Sequence, residues 1–202
     1  MNTKDYFDNV ADTWDDRFQT PKLLSFLEKL VPQFDLKTGQ HVLDVGTGTG
    51  VLIPHLTKAV GSSGSVTAID FSEKMIQKCK TTYSRVKHVT VKVGNIEDAA
   101  FTPESFDAAI CFGVFPHLEN KEKALQNINR ILKPAGKMVI AHALSSEELK
   151  AHHQNVSKHV AHATIPKKTE MIQLLKQTGF IEITLRDEPG CYLCVALKTS
   201  KP

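Results

Sequence analysis

The chain has 202 residues, a length that suits one well-buried core and is short for two. Hydrophobic residues make up 41% of the sequence and charged residues 23%, which excludes a wholly disordered or fibrous protein. The formal net charge is only +3, and basic residues are scattered among acidic ones, so the charge does not indicate nucleic-acid binding. We therefore expect a single domain over residues 1–202 that does not bind nucleic acid.

The sequence also lacks the features of a membrane or exported protein. No stretch approaches the roughly 18 apolar residues that cross a bilayer. Residues 1–16 are acidic and polar, unlike the charged and then apolar order of a signal peptide. These observations predict a cytoplasmic protein with no membrane association.

Short runs rich in β-branched residues alternate with segments of helical spacing. The runs predict strands at residues 41–45, 65–70, 89–93, 107–112 and 137–141. Strands separated by helices imply right-handed crossovers and a mostly parallel sheet. The pattern therefore predicts an α/β fold.

Three of the intervening segments carry clear apolar stripes. They lie at residues 23–31, at residues 125–132 and at residues 171–175. For the third helix we expect Thr169 to be the N-cap and Gly179 to end the helix.

The last part of the chain predicts a different arrangement. Strand-like runs at residues 181–187 and 191–198 are joined by a short turn at residues 188–190, which is typical of a hairpin. The parallel sheet is therefore expected to end in a C-terminal antiparallel pair.

The first predicted strand runs directly into a glycine loop. Gly46, Gly48 and Gly50 follow it, and a helix is expected to begin near Val51. Glycines at the carboxyl end of such a strand let the backbone approach a ligand closely, where open α/β sheets bind nucleotides. The dinucleotide pattern G-x-G-x-x-G requires a glycine at the position of Val51, so the spacing disfavours NAD.

An acidic residue ends the second predicted strand. Asp70 lies 24 positions after Gly46, and a carboxylate at this place can accept both hydroxyls of a ribose. The alternative is that Asp70 only caps the helix that starts near Ser72.

Four segments in sequence order resemble the motifs of class I S-adenosyl-L-methionine (SAM)-dependent methyltransferases. The resemblance is strongest to the group with the ubiquinone and menaquinone biosynthesis C-methyltransferases. The segments are DVGTGTG at 44–50, DFSEKM at 70–75, GNIED at 94–98 before SFD at 105–107, and RILKPAG at 130–136. The resemblance implies a single-domain, Rossmann-like, doubly wound sheet.

The resemblance also implies a SAM site, residue by residue. Gly46, Gly48 and Gly50 would line the methionine part, with Asp44 near its amino group. Asp70 would hold the ribose. The adenine would be flanked by Phe71 and Met75 and met at its edge by Asn95 and Ile96. Many relatives have Asp in place of Asn95, for which we expect weaker binding, and Gly in place of Ala135, which we expect to affect only the local backbone.

Residues 1–35 resemble an N-terminal helical lid that closes over SAM in these relatives. Tyr6 and Trp14 would then exclude water, stack on the ligand and contact the substrate. The alternative is a helix packed on the sheet edge by an apolar stripe.

Methyl transfer from a sulfonium is an in-line displacement, so it needs alignment and little dedicated machinery. In the family, the loop after the fourth strand faces the methyl group. His117 lies in that loop, and its side chain suits proton transfer near neutrality, which makes it the candidate catalytic residue. The alternative is a histidine that caps the next helix or touches the cofactor.

Residues 141–165 form a long, histidine-rich connection that we expect to cover the substrate. His142, His152 and His153 are candidate substrate contacts, and with His117 they are weak candidates for a metal site. On a helix, His159 and Glu148 would lie near His152. The alternative is a polar, partly exposed helix.

The leading hypothesis is therefore SAM-dependent methyl transfer to a small-molecule acceptor. A second hypothesis is a catalytically inactive SAM-binding protein that acts in regulation or assembly. A third, a nucleotide-dependent oxidoreductase, is disfavoured by Val51.

Overall fold

The computed structural model describes residues 2–156 and 160–200. The chain divides into two compact units, Met1–Asn95 and Ile96–Pro202, here called the first unit and the second unit. The expected single domain over residues 1–202 stays a prediction. The expected position of His159 beside His152 concerns a residue outside the described ones.

The first unit contains three parallel strands in the order β3-β2-β1. They are β1 (His41–Val45), β2 (Ser65–Asp70) and β3 (Val89–Val93), with the predicted bounds. Val45 is paired with Ile69, and Asp70 with Val93, so the three strands end at one edge. The loops after β1 and β2 therefore leave the same side of this part of the sheet.

Helices of the first unit begin at residues that suit helix starts. The Thr20 side chain caps the helix that starts at Pro21 by accepting from the Leu23 N–H. The Ser72 side chain caps the helix that starts at Glu73 by accepting from the Met75 N–H. The helices are α1 (Thr3–Val10), α2 (Trp14–Phe18), α3 (Pro21–Leu30), α4 (Ile53–Val60) and α5 (Glu73–Tyr83).

The second unit contains strands in the order β4-β5-β7-β6. They are β4 (Phe106–Phe112), β5 (Leu132–His142), β6 (Phe180–Glu188) and β7 (Cys191–Lys198). β4 and β5 are parallel, whereas β5 with β7 and β7 with β6 are antiparallel. The predicted α/β fold with parallel strands and a C-terminal antiparallel hairpin is confirmed.

The helices of the second unit are α6 (Lys121–Ile131), α7 (Ser146–Val156) and α8 (Lys168–Gln177). The expected N-cap at Thr169 is wrong, because Thr169 lies inside α8. The Lys167 N–H donates to the Glu170 carboxylate, 3.2 Å away, so a glutamate in the first turn provides the capping hydrogen bond at the start of α8. The predicted end near Gly179 is confirmed.

β5 begins five residues before the predicted start at residue 137, and the predicted helix at residues 125–132 ends one residue earlier. The extra strand residues include Ala135, whose φ of 59° lies in the left-handed region that favours glycine. The departure from the family's glycine at this position therefore affects the local backbone, as expected.

No helix in residues 2–156 and 160–200 combines the length and apolar character needed to cross a membrane. The cytoplasmic location and the absence of nucleic-acid binding stay predictions.

Candidate functional site

The glycine loop after β1 is hydrogen-bonded to the end of β2. The Thr47 N–H donates to the Ile69 carbonyl oxygen at 2.9 Å. Gly48 and Gly50 have φ angles of 57° and 99°, a region that glycine occupies without strain. A Cβ atom on Gly50 would lie 2.5 Å from the Tyr83 ring, so this position also lacks room for a side chain.

Asp70 joins the glycine loop to the start of α5. Its Oδ2 atom accepts from the Gly48 N–H and its Oδ1 atom from the Ser72 N–H, both at 2.9 Å. Only 6% of Asp70 is exposed, and this burial raises the pKa of its carboxyl to about 6. Asp70 thus supports the start of α5, as the alternative states, and also lies at the loop.

A second buried acid lies on β1, beneath the same loop. Asp44 is 1% exposed, and the Thr47 hydroxyl donates to its Oδ2 atom at 2.7 Å. Burial raises the pKa of the Asp44 carboxyl to about 7, and the charge of Asp70 adds to the effect. The loop therefore covers two carboxyl groups that hold protons more tightly than acids in water.

Aromatic side chains of the N-terminal helices reach this loop region. The Phe7 ring lies 5.7 Å from Trp14 and 5.9 Å from Phe71, centre to centre, in edge-on geometry. Tyr6 contacts Phe7 at 5.3 Å. The Trp14 Nε1 atom is 3.7 Å from the place where a Cβ on Gly48 would lie. The structure thus brings Trp14 to the glycine loop and Tyr6 into contact with the same aromatic cluster.

Two acids that the sequence analysis missed tie the N-terminal helices to these loops. Ser72 Oγ donates to Asp8 Oδ1 at 2.6 Å, and Thr49 Oγ1 donates to Asp15 Oδ1 at 2.5 Å. Gln19 also donates to Thr49 Oγ1 at 3.1 Å. The only signal in the sequence was that these acids are interleaved with aromatic residues in residues 6–18.

The remaining candidates for the adenine contact lie on separate elements. Met75 is 1% exposed in the first turn of α5, after Phe71. Asn95 follows β3 at the end of the first unit. Ile96 belongs to the second unit, where its side chain is 2% exposed and its carbonyl oxygen accepts from Asn127 at 2.6 Å.

Histidines of the second unit form a cluster of their own. His117 ends a 3₁₀ turn after β4, and its ring centre is 4.9 Å from that of His153. His152 lies 6.0 Å from His153, and the ring of His142 lies 6.4 Å from that of Phe112. The structure therefore brings the predicted His117 and His153 together.

Burial favours the neutral imidazole at His117, His142 and His153. Burial lowers the pKa of both His117 and His142 to about 3, and the positive charge of His153 would lower each further. Burial also lowers the pKa of His153, whose Nδ1 atom is 2.6 Å from the Ala163 carbonyl oxygen. Since a carbonyl only accepts, Nδ1 of His153 carries the hydrogen and Nε2 presents a lone pair.

No group of three or more His, Cys, Asp or Glu side chains in the described part of the chain is arranged to hold a metal ion. Glu148 lies one turn before His152 on α7, and its carboxylate accepts from the N–H groups of Ser145 and Gly190, each at 2.8 Å. The metal hypothesis for these histidines stays a prediction without a ligand set in residues 2–156 and 160–200.

A strand that enters a glycine loop, with an acid at the end of the neighbouring parallel strand, is typical of α/β proteins that bind nucleotides. Within that class, a family model described as a methyltransferase domain matches residues 36–180. The chain belongs to this methyltransferase family.

The chain is also similar to individual curated proteins. The chain is 34% identical to an uncharacterized protein of Methanocaldococcus jannaschii, covering 67% of this chain and 49% of the relative. It is 33% identical to a demethylmenaquinone methyltransferase of Staphylococcus aureus, covering 66% and 56%. The chain thus spans about half the length of these curated relatives.

A solved structure extends the comparison to most of the chain. A SAM-dependent methyltransferase from Aquifex aeolicus superposes with a TM-score of 0.74 and 25% identity, covering 94% of this chain and 97% of the other. The Rossmann-like fold class and the resemblance to the menaquinone methyltransferase group are confirmed.

Proposed function

We propose that the chain binds SAM at the glycine loop and transfers the methyl group to a small-molecule acceptor by in-line displacement. The observation that carries the proposal is the Asp70 carboxylate, which hydrogen-bonds the Gly48 N–H of the glycine loop from the end of β2. The solved structure named as a SAM-dependent methyltransferase supports the choice of cofactor.

The proposed cofactor contacts follow the order of the loops. The glycine loop holds the methionine part, with Asp44 near the amino group and Asp70 at the ribose. The adenine lies between Phe71 and Met75, with Asn95 and Ile96 at its edge. When bound, SAM supplies the electrophilic methyl group and its own leaving group, so the protein's task is binding and alignment.

The N-terminal segment is proposed to cover the bound cofactor. Trp14 lies beside Gly48, and Asp8 and Asp15 accept hydrogen bonds from hydroxyls of the two loops. These contacts come from α1 and α2, which are held largely by polar and aromatic contacts, and no described residue of these two helices is buried. Such a segment can open and close at small cost and exclude water when closed.

Replacing Asp70 by alanine is expected to weaken SAM binding by about tenfold or more, because two ribose hydroxyls lose a charged acceptor. Calorimetric titration with SAM, S-adenosylhomocysteine and NAD measures the effect and also tests the oxidoreductase hypothesis. Asp12→Ala removes a carboxylate that is 84% exposed in the same unit and serves as control. Unchanged SAM affinity in folded Asp70→Ala would remove this residue from the site.

His117 is proposed to contact the acceptor. An imidazole whose pKa is lowered to about 3 is a weak base near neutrality, so hydrogen bonding to the acceptor suits it better than proton removal. His117→Ala is therefore expected to slow methyl transfer by less than the roughly 10²-fold that a general base contributes, with SAM affinity unchanged.

The measurement is a single-turnover rate with methyl-labelled SAM and the acceptor found by metabolite profiling. His55→Ala, in α4 of the first unit, is the matched control. A rate equal to that of the wild type would exclude contact between His117 and the acceptor. Binding of SAM without turnover on any acceptor would instead favour the regulatory or assembly role.

A further inference from the structure

The outer edge of the sheet in the first unit has no strand beside it. β3 lies at the end of the order β3-β2-β1, so among the described residues it pairs with β2 alone. The Gly94 N–H, directly after β3, donates to the Asp70 carbonyl oxygen of β2 at 2.9 Å. Backbone groups of successive residues in a strand point to opposite sides, so the N–H and C=O groups of Val91 and Val93 face the open edge.

The terminal strand of the second unit is built differently. In β6 the register shifts between Ile181 and Thr184, where Glu182 has a φ of 49°. Such irregularities bend an edge strand and hinder further pairing. β3 pairs with β2 residue by residue from Val89 to Val93 without a shift. β3 is therefore a regular edge on which another strand can pair.

The segment that contains β3 is strongly basic. Residues 74–96 include six Lys or Arg residues and no Asp or Glu, in a chain whose formal net charge is +3. The remaining residues therefore carry a formal net charge of −3. This concentration differs from the scattered charges of the chain as a whole, and it lies on α5, on β3 and on the residues that join them.

Most of these positive charges are available to a partner. Lys78 is the exception, because its ammonium lies 3.8 Å from the Asp12 carboxylate and donates to the Asp12 carbonyl oxygen. The others are exposed and have no ion pair within residues 2–156 and 160–200. They are Lys74, Lys80, Arg85, Lys87 and Lys92. We call β3 and these five side chains the basic edge.

An added strand would meet different side chains on the two faces of β3. Val89, Val91 and Tyr83 of α5 pack against one buried cluster. Side chains alternate along a strand, so Val93 lies on the same face, where it is 49% exposed. Lys92 lies on the opposite face and is exposed. The basic edge thus offers an apolar contact on one face and a positive charge on the other.

A second copy of this chain is a poor partner for the basic edge. Pairing two copies of β3 would bring their lysines and arginines together, and like charges across a strand pair are destabilising. Lysines on an edge strand protect against self-pairing for this reason. The same charges attract a strand that carries acidic side chains.

We propose that the basic edge binds an extended acidic segment of a partner protein, which pairs with β3 as an additional strand. Main-chain hydrogen bonds to Val91 and Val93 supply affinity, and the basic side chains select acidic sequences. A peptide offers both donors and acceptors to these backbone groups, whereas the phosphates of a nucleic acid only accept. The proposal does not rest on SAM binding.

The first test is titration with short capped peptides, followed by fluorescence anisotropy. A peptide of alternating glutamate and valine is expected to bind at least about tenfold more tightly than one of alternating lysine and valine. Its affinity is expected to fall as the NaCl concentration rises. Equal affinity for the two peptides, or no binding of either, would overturn the proposal.

N-methylation of the glutamate–valine peptide distinguishes strand pairing from charge attraction. In a paired strand the N–H groups of alternate residues face β3. Methylating all glutamates or, in a second peptide, all valines leaves the charge unchanged but removes one set of donors. One of these two peptides is expected to bind about tenfold more weakly than the other. Equal affinities of the two would show that the peptide does not pair as a strand and would overturn the proposal.

Lys92→Glu tests the charge of the basic edge. It is expected to weaken binding of the glutamate–valine peptide about fivefold or more. Lys58→Glu makes the same charge change at an exposed lysine of α4 in the same unit, and this matched control is expected to leave the affinity unchanged. The proposal is wrong if Lys92→Glu binds the peptide as well as Lys58→Glu does.

Val93→Pro tests the backbone of the basic edge. Proline removes an N–H that faces the open edge, so the hydrogen bonds between β2 and β3 are retained. We expect a peptide affinity about fivefold lower than that of Val93→Ala, which shortens the same side chain and keeps the N–H. Equal affinities of the two variants would contradict strand pairing. If Val93→Pro does not fold, Lys92→Glu and the methylated peptides decide the question.

Two further measurements detect other occupants. Tighter binding of a uridine oligonucleotide than of the glutamate–valine peptide, weakened by Lys92→Glu, would make the basic edge a nucleic-acid surface and overturn the proposal. A dimer seen by sedimentation and lost in Val93→Pro would do the same. Calorimetry with SAM separates this proposal from the proposed function, since a protein that binds the peptide but not SAM would refute only the proposed methyl transfer.

Discussion

Replacing Gly48 by valine is expected to abolish SAM binding, with a loss of at least about 100-fold in affinity. Gly48 has a φ of 57°, where a β-branched residue is strained, and the Trp14 Nε1 atom lies 3.7 Å from the added Cβ. The new methyl groups would fill the space between the loop and Trp14 and would disturb the hydrogen bond from the Gly48 N–H to Asp70, 2.9 Å long. Calorimetric titration with SAM measures the loss.

Backbone strain alone is controlled by Gly190→Val. Gly190 lies in the turn between β6 and β7 with a φ of 78°, and, apart from Gly190 and its two chain neighbours, no heavy atom of the described residues lies within 4 Å of the place where its Cβ would be. Valine there carries comparable strain without blocking the glycine loop. We expect Gly190→Val to lower the melting temperature and to retain SAM binding. If Gly48→Val folds and binds SAM with wild-type affinity, the glycine loop has another purpose.

Strands that are specified by their own residues and the adjacent turns are predicted correctly from the sequence. β1, β2 and β3 have the predicted bounds because each is a short β-branched run between turn residues. The start of α8 was predicted wrongly, because threonine is a common N-cap but the carboxylate of Glu170 takes the capping role. The early start of β5 includes a residue in the left-handed region, which no propensity indicates.

In the candidate site, too, residues that are close together in the sequence are predicted, and residues whose partners are distant in the sequence are not. The glycine loop and Asp70 are visible in the sequence because strand, loop and acid follow one another within one βαβ unit. Asp8 and Asp15 are not, because their hydroxyl partners lie 64 and 34 positions away.

Replacing Asp44 by asparagine is expected to change stability and SAM binding in opposite directions. Burial raises the pKa of the folded carboxyl to about 7, well above the roughly 3.9 of an unfolded chain. The folded protein therefore binds this proton more tightly, and the associated stability is present below about pH 4 and is lost as the pH rises through 7. Asparagine carries no such proton and still accepts from the Thr47 hydroxyl.

The free energy of unfolding without ligand should therefore differ little between Asp44→Asn and wild type near pH 4. At pH 8 it should be higher in the variant by about 2 kcal/mol or more, which denaturant titrations at both pH values measure. SAM affinity at pH 8 should fall about tenfold or more, because the amino group loses a charged partner. Asp12→Asn, at an exposed acid, should change neither quantity. A variant no more stable than wild type at pH 8 would show that the pKa of Asp44 is not raised in the folded protein. Unchanged SAM affinity would show that Asp44 does not contact the amino group of SAM.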